Sequence, residues 1–241
     1  MKLSVFLLLV VSIINISINY IKTPMNNSEL SLKYLVRESA LKTEKAPVLI
    51  LLHGVGSNEK DLFSFADFID EKYLVVSAQG PYNLGVNRYG WYEVNFSNGK
   101  PQINADQAEK SRLALINFID EIVEKYNADS QKVYLMGFSQ GAIMSYSVAL
   151  SQPEKVAGFA AFSGRVLDTT KQNASKSDQL SKLKVYLAHS RNDQVLSFQY
   201  AEEAHKMLES LNIETTYRVF DDGHSISREN LYAFLGWLSK Q

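Results

Sequence analysis

The sequence has no cysteine. Disulfides, thiolate metal sites, a cysteine nucleophile and lipid attachment through cysteine are therefore excluded, although the compartment is not settled by this. Neither sign of charge is in excess: 25 basic side chains face 26 acidic ones, a formal net charge of -1. Nothing in that balance favours nucleic acid or a strongly anionic surface as a partner. There is no internal repeat and no low-complexity tract. Histidine is scarce, with His53, His189, His205 and His224 the only four, so the candidates for a general base are few. No clean membrane-spanning run is present either. The apolar stretch from Leu3 to Val11 weakens at Ser12, Asn15, Ser17 and Asn19, whereas a spanning helix needs about 20 apolar residues.

What that first stretch does resemble is the start of an export signal, with one positive charge at Lys2 ahead of an apolar run. No small-x-small cleavage site follows. Residues 1–20 are read as a signal peptide, cleaved or kept as an anchor, which makes the protein periplasmic, secreted or anchored rather than cytoplasmic. A buried N-terminal strand or helix is the alternative. Residues 21–30 read as a polar linker, and residues 31–241 as one domain. Hydrophobic residues make up 46% of the chain and charged ones 21%, enough for a sizeable core.

Along that domain, apolar runs alternate with amphipathic ones. "LKYLVRES" alternates like a strand, "APVLILLHG" reads as a strand buried on both faces, and "KYLVVSAQGP" as another. Residues 58–70 carry Leu62, Phe65, Phe68 and Ile69 at helical spacing. Residues 82–103 read as a long loop. Residues 104–127 predict a long helix whose apolar stripe is Leu113, Ile116, Ile119, Ile122 and Val123. Further strands are expected at "QKVYLMG", "VAGFAAFSG", "LKVYLAHS" and "TTYRVFDDG", with helices at "QGAIMSYSVALSQP", "SFQYAEEAHKMLESLN" and "SRENLYAFLGWLSK". Residues 168–182 read as a polar loop with a short helix. Strands separated by helices imply a mostly parallel α/β sheet covered on both faces. The segments between strands are too short for a large cap domain, which leaves any site at the sheet edge open.

One stretch carries chemistry. In "LMGFSQGAIM", Gly137 and Gly141 flank Ser139 at minus two and plus two, between a strand and a helix. That context makes Gly-x-Ser-x-Gly a nucleophile elbow; the plain alternative is an N-capping serine in a glycine turn. A serine hydroxyl needs a base near neutral pH. His224 follows the last strand and so reaches the same sheet edge, while His205 lies in an amphipathic helix and reads as solvated. Asp193, in the loop after the penultimate strand, is the candidate to orient His224. The order Ser139, Asp193, His224 suits such a triad. Asp168 is the reserve, and Asp221 and Asp222 adjoin the histidine too closely for easy contact with its ring. Two oxyanion donors are also needed. They are expected from the backbone N–H of Gln140 and of Val55, the latter in the loop "HGVGSNEKD", with His53 stabilising that turn. The loop lacks the third glycine of a dinucleotide fingerprint and the Gly-Lys-Ser/Thr of a P-loop. Trp91 and Tyr92 either wall an acyl pocket or pack beneath their loop.

With these pieces placed, the chain resembles the α/β-hydrolases, and among them the carboxylesterase/phospholipase family that includes the acyl-protein thioesterases. The resemblance spans residues 31–240 and rests on "LLHGVGSNEKDL", "GWYEV", "GFSQGAIMS", "SRNDQVLSF" and "GHSIS". It implies Ser139 as nucleophile, Asp193 as acid, His224 as base, and Val55 and Gln140 as oxyanion donors. It also implies a serine carboxylic-ester hydrolase for small to medium acyl esters, needing no metal or organic cofactor. A lysophospholipase, thioesterase or peptidase would use the same residues; a non-catalytic binding protein of this fold would not need all three. Two positions depart from the family: Ser190 stands where a glycine is usual, and Leu196 where a proline is. Both are expected to affect loop shape and substrate fit and to leave the reacting groups untouched.

Overall fold

A computed structural model describes residues 30–95 and 101–241 of the chain. The N-terminal signal reading, residues 1–20, lies outside the described residues, as does all of the 21–30 linker but its last residue. The first strands are β1 (Tyr34–Arg37), β2 (Val48–Leu52) and β3 (Leu74–Ala78), with the single-turn helix α1 (Lys60–Phe63) between the last two. Four short strands follow: β4 (Tyr82–Gly85), β5 (Arg88–Gly90), β6 (Val94–Asn95) and β7 (Gln102–Ile103). Then come α2 (Ala105–Lys125), β8 (Val133–Phe138), α3 (Gln140–Ser151), β9 (Gly158–Phe162), α4 (Asp168–Gln172), β10 (Lys184–Ser190), α5 (Gln199–Ser210), β11 (Glu214–Phe220) and α6 (Arg228–Leu238).

The central sheet has seven strands in the order β1-β3-β2-β8-β9-β10-β11. Only β1 runs antiparallel, against β3; the other pairings are parallel. The alternation of β2 shows how the layers form. Val48, Ile50 and Leu52 face one core, shared with α2, α3 and α5. Leu49 and Leu51 face the other, shared with α1 and α6. A strand apolar at every position is thus one with a helical layer on each side. Among the described residues no cap domain covers the C-terminal edge, where the loops of interest emerge.

Three expectations need correction. Residues 58–70 form no continuous helix: α1 spans one turn, and a 3-10 turn follows at Ala66–Phe68. The helical spacing misled because Phe68 points to solvent while Leu62 and Ile69 are buried. The presumed loop at 82–103 contains two antiparallel hairpins, β4–β5 and β6–β7. Val86 and Asn87 turn the first of them, with Asn87 at φ 55°, a value asparagine tolerates better than most residues. In α2, Leu113 is 50% exposed, and the buried stripe is Leu115, Ile116, Phe118, Ile119 and Ile122.

Candidate active site

Ser139 occupies the junction of β8 and α3 at φ 53°, ψ -114°. This backbone region is costly for a residue with a Cβ, on the order of 1–3 kcal/mol, and persists only where the surroundings over-determine it. They do so here. Ser139 N–H donates to Phe162 O at 2.9 Å, and its carbonyl accepts from Ile143 N–H at 3.1 Å. The flanking glycines are required sterically: a Cβ at Gly137 would lie 2.3 Å from Gly141 O, and one at Gly141 only 1.9 Å from Leu52 O. The capping alternative fails, because the Ser139 side chain accepts no helical N–H.

The hydroxyl is directed instead at the imidazole of His224, with Oγ 3.0 Å from Nε2. His224 sits beyond β11, after Gly223 at φ 71°, and its ring leans on Phe138 at 5.0 Å between centroids. Its Nδ1 lies 2.7 Å from Asp193 Oδ2. An ionised carboxylate only accepts, so Nδ1 carries the proton and Nε2 is left with a lone pair facing the serine. Asp193 itself has a side chain with no exposed surface. Burial pushes its pKa up, but the His224 contact and the N–H groups of Leu196 and Val195 outweigh this, and the net movement is downward. Both N–H groups donate to Oδ1 at 2.8 Å.

The other acidic candidates are elsewhere. Asp168 is exposed and paired with Lys171, Asp221 faces Arg191 at 3.9 Å, and neither Asp221 nor Asp222 bonds to His224. His205 stacks on Tyr217 in α5. The loop after β2 approaches the elbow closely, since a Cβ at Gly54 would lie 3.4 Å from Ser139 Cβ. Next to it, the Val55 N–H has no protein acceptor among the described residues, and neither does the Gln140 N–H at the first position of α3. Amides without acceptors at the elbow and in the loop beside it are the kind of donor an oxyanion requires.

Trp91 and Tyr92 are 0% and 1% exposed, so they do not wall an open pocket. They pack beneath the loops and anchor them. Trp91 Nε1–H donates to His53 O at 2.9 Å, and Ser111 Oγ donates to Trp91 O. The Gln140 side chain, whose part the sequence did not reveal, clamps the same segment: its Oε1 accepts from Trp91 N–H and its Nε2 donates to Tyr92 O, each at 2.7 Å. His53 holds the Val55 loop from inside. Its Nδ1 donates to Gly54 O at 2.7 Å and its Nε2 accepts from Gly80 N–H at 2.9 Å, a pattern available only to the neutral ring.

His189 is a second residue whose part the sequence did not reveal. It is buried at the end of β10, donating from Nε2 to Leu196 O at 2.9 Å with Asp193 Oδ2 3.4 Å away. Its signal in the sequence was its place at the catalytic sheet edge, one turn before Asp193. Nor do the two family departures leave the reacting groups alone, contrary to expectation. The Leu196 N–H that supports Asp193 is one that a proline could not supply, and the Ser190 hydroxyl bonds into the loop of His224. Among the described residues, no cluster of three or more histidine or acidic side chains could hold a metal ion, and no helix is long and apolar enough to cross a membrane.

A mostly parallel sheet with a serine elbow at its C-terminal edge, helices on both faces and, among the described residues, no large cap defines an α/β-hydrolase. Its structural neighbours agree: a carboxylesterase from Bacillus cereus superposes with a TM-score of 0.76 at 23% identity, over 88% of this chain and 96% of that one. The chain belongs to the phospholipase/carboxylesterase family, whose model matches residues 36–241, and it is accordingly a hydrolase of the esterase class. Relatives include a probable SOBER1-like carboxylesterase of Arabidopsis thaliana, 27% identical over 90% of this chain and 86% of the relative. Another is acyl-protein thioesterase 1 of Kluyveromyces lactis, 22% identical over 80% of this chain and 91% of the relative.

Proposed function

We propose that the protein hydrolyses small to medium acyl esters through a Ser139–His224–Asp193 triad and an acyl-enzyme intermediate. The observation that carries this reading is the unbroken line from Ser139 Oγ to His224 Nε2 at 3.0 Å and from Nδ1 to Asp193 at 2.7 Å. His224 takes the Ser139 proton as Oγ attacks the ester carbonyl carbon. The carbonyl oxygen becomes an oxyanion between the Val55 and Gln140 amides. The tetrahedral centre collapses, the bond to the alkoxy oxygen breaks, and His224 delivers its proton to the departing alcohol. Water then attacks the acyl carbon with His224 again as base, releasing the acid and restoring the serine. Asp193 keeps the imidazole in its working tautomer and balances the imidazolium charge. No step calls for a metal or an organic cofactor.

The absence of a large cap among the described residues favours soluble esters over long triglycerides. A thioester substrate is the second reading, favoured by the relative named as an acyl-protein thioesterase; lysophospholipid is a third leaving-group class the same residues could serve. The test is turnover of p-nitrophenyl acetate and butyrate by wild type and Ser139→Ala, followed by a thioester and a lysophospholipid. The variant is expected to lose at least about 1000-fold in kcat. Equal rates in the two proteins would end the catalytic assignment and leave a binding protein of this fold.

A further inference from the structure

The hydroxyl of Ser190 joins two loops that the chain separates by more than thirty positions. Ser190 closes β10 and is almost wholly buried. Its Oγ accepts the Asn192 N–H at 3.1 Å and the Gly223 N–H at 2.9 Å. Asn192 precedes Asp193, and Gly223 precedes His224. We propose that Ser190 is a positioning residue that couples the carboxylate loop to the imidazole loop and so fixes the Asp193–His224 contact. The proposal rests on the esterase reading.

Gly223 lies at φ 71°, and a Cβ there would meet nothing within 4 Å. Hydrogen bonds tie the turn to the neighbouring loop, beside the packing of the His224 ring on Phe138. Arg191 N–H donates to Phe220 O at 2.9 Å, continuing the β10–β11 ladder, and Asn192 Nδ2 reaches Asp221 O at a long 3.4 Å. Ser225 Oγ closes the same turn on Asp222 O at 2.9 Å, and the Ser190 bond joins it to the other loop. It anchors the residue before His224 to the residue that starts the Asp193 loop. A glycine at this position would have no side-chain oxygen to offer, so the link depends on the Ser190 hydroxyl. Catalysis by a hydrogen-bonded triad depends on geometry held within fractions of an ångström, and loosening the Gly223 turn would spread the imidazole over orientations that miss Asp193 or Ser139.

Ser190 is not in the left-handed region, so alanine fits the backbone and removes only the acceptor. Ser190→Ala and Ser190→Gly are compared with wild type in steady-state ester hydrolysis, in circular dichroism, and in amide hydrogen exchange by NMR. Both variants are expected to fold, to lose about tenfold in kcat, as befits loss of the bond that holds the imidazole turn, and to keep KM within about twofold. The Gly223 and Asn192 amides should exchange faster in both. Wild-type kcat in either variant overturns the proposal, as does a loss carried in KM. Failure to fold overturns it too, by assigning the hydroxyl to stability. A wild type that hydrolyses no ester would sink the esterase reading alone, because the amide exchange would still report whether the loops are coupled.

Discussion

A carboxylate shut away from solvent stays ionised only if its oxygens are occupied, and those of Asp193 have assigned tasks. Oδ1 takes the Val195 and Leu196 amides, and Oδ2 takes His224 Nδ1–H. In Asp193→Asn, the two amides would keep the carbonyl oxygen where Oδ1 was. The new NH2 group would then face Nδ1, forcing the imidazole to accept there and to present Nε2–H to a serine that must give up a proton. The expected result is a folded protein with kcat lowered by about 10,000-fold. A burst assay with a p-nitrophenyl ester would detect it; near-normal acylation would contradict the tautomer argument. At this scale the sequence was legible where chemistry restricts residue type and position. Ser139 had its glycines, His224 was the one histidine just beyond the last strand, and Asp193 stood in the loop between them. It was illegible where a side chain serves a distant backbone. Nothing in the spacing of Gln140 or Ser190 announces their partners, which are 48 or 49 and 33 positions away for the longest bonds.

The elbow is an element as much as a motif, because α3 lies too close to β8 and to the end of β2 for any side chain at its glycines. Gly141→Ala would drive a methyl group against the Leu52 and His53 carbonyls, backbone that cannot move without shifting β2 and the Val55 loop. A stability loss of about 3 kcal/mol or more is expected, read as a fall in the urea midpoint or failure to express soluble protein. Gly236→Ala provides the contrast. It lies on the exposed side of α6 with nothing within 4 Å, and should raise stability by about 0.5–1 kcal/mol through helix propensity. Elements with strong apolar patterns, such as β2 and β8, were visible in the sequence. The hairpins within residues 82–103 were not. They are short, half-exposed, and held to the Val55 loop by backbone bonds such as Gly56 N–H to Tyr89 O and Tyr89 N–H to Ser57 O, which no periodicity encodes.

For the molecule as a whole, acid sensitivity follows from two histidines kept neutral. Burial lowers the pKa of His53 and of His189 below the ordinary 6.5, although nearby carbonyls and acids pull the other way. As pH falls through 6.5 the unfolded chain takes up protons that the folded one refuses, so stability is full above that value and declines below it. The decline ends only at the lower folded-state values. Asp193, itself shifted down from 3.8, adds a further loss in more acid solution. Urea midpoints should therefore fall from pH 7.5 to 6 to 5, and a flat profile over that interval would refute the neutral-histidine argument.

The placement of β11 has a consequence for how the protein fails. It is an edge strand, paired only with β10, and none of its residues is fully buried, while β2 and β8 lie in the interior of the sheet. Local opening begins at such margins before the centre gives way. Heat or denaturant should therefore peel His224 away from Ser139 and the elbow, and under the proposed mechanism turnover would vanish while most of the helical signal survives.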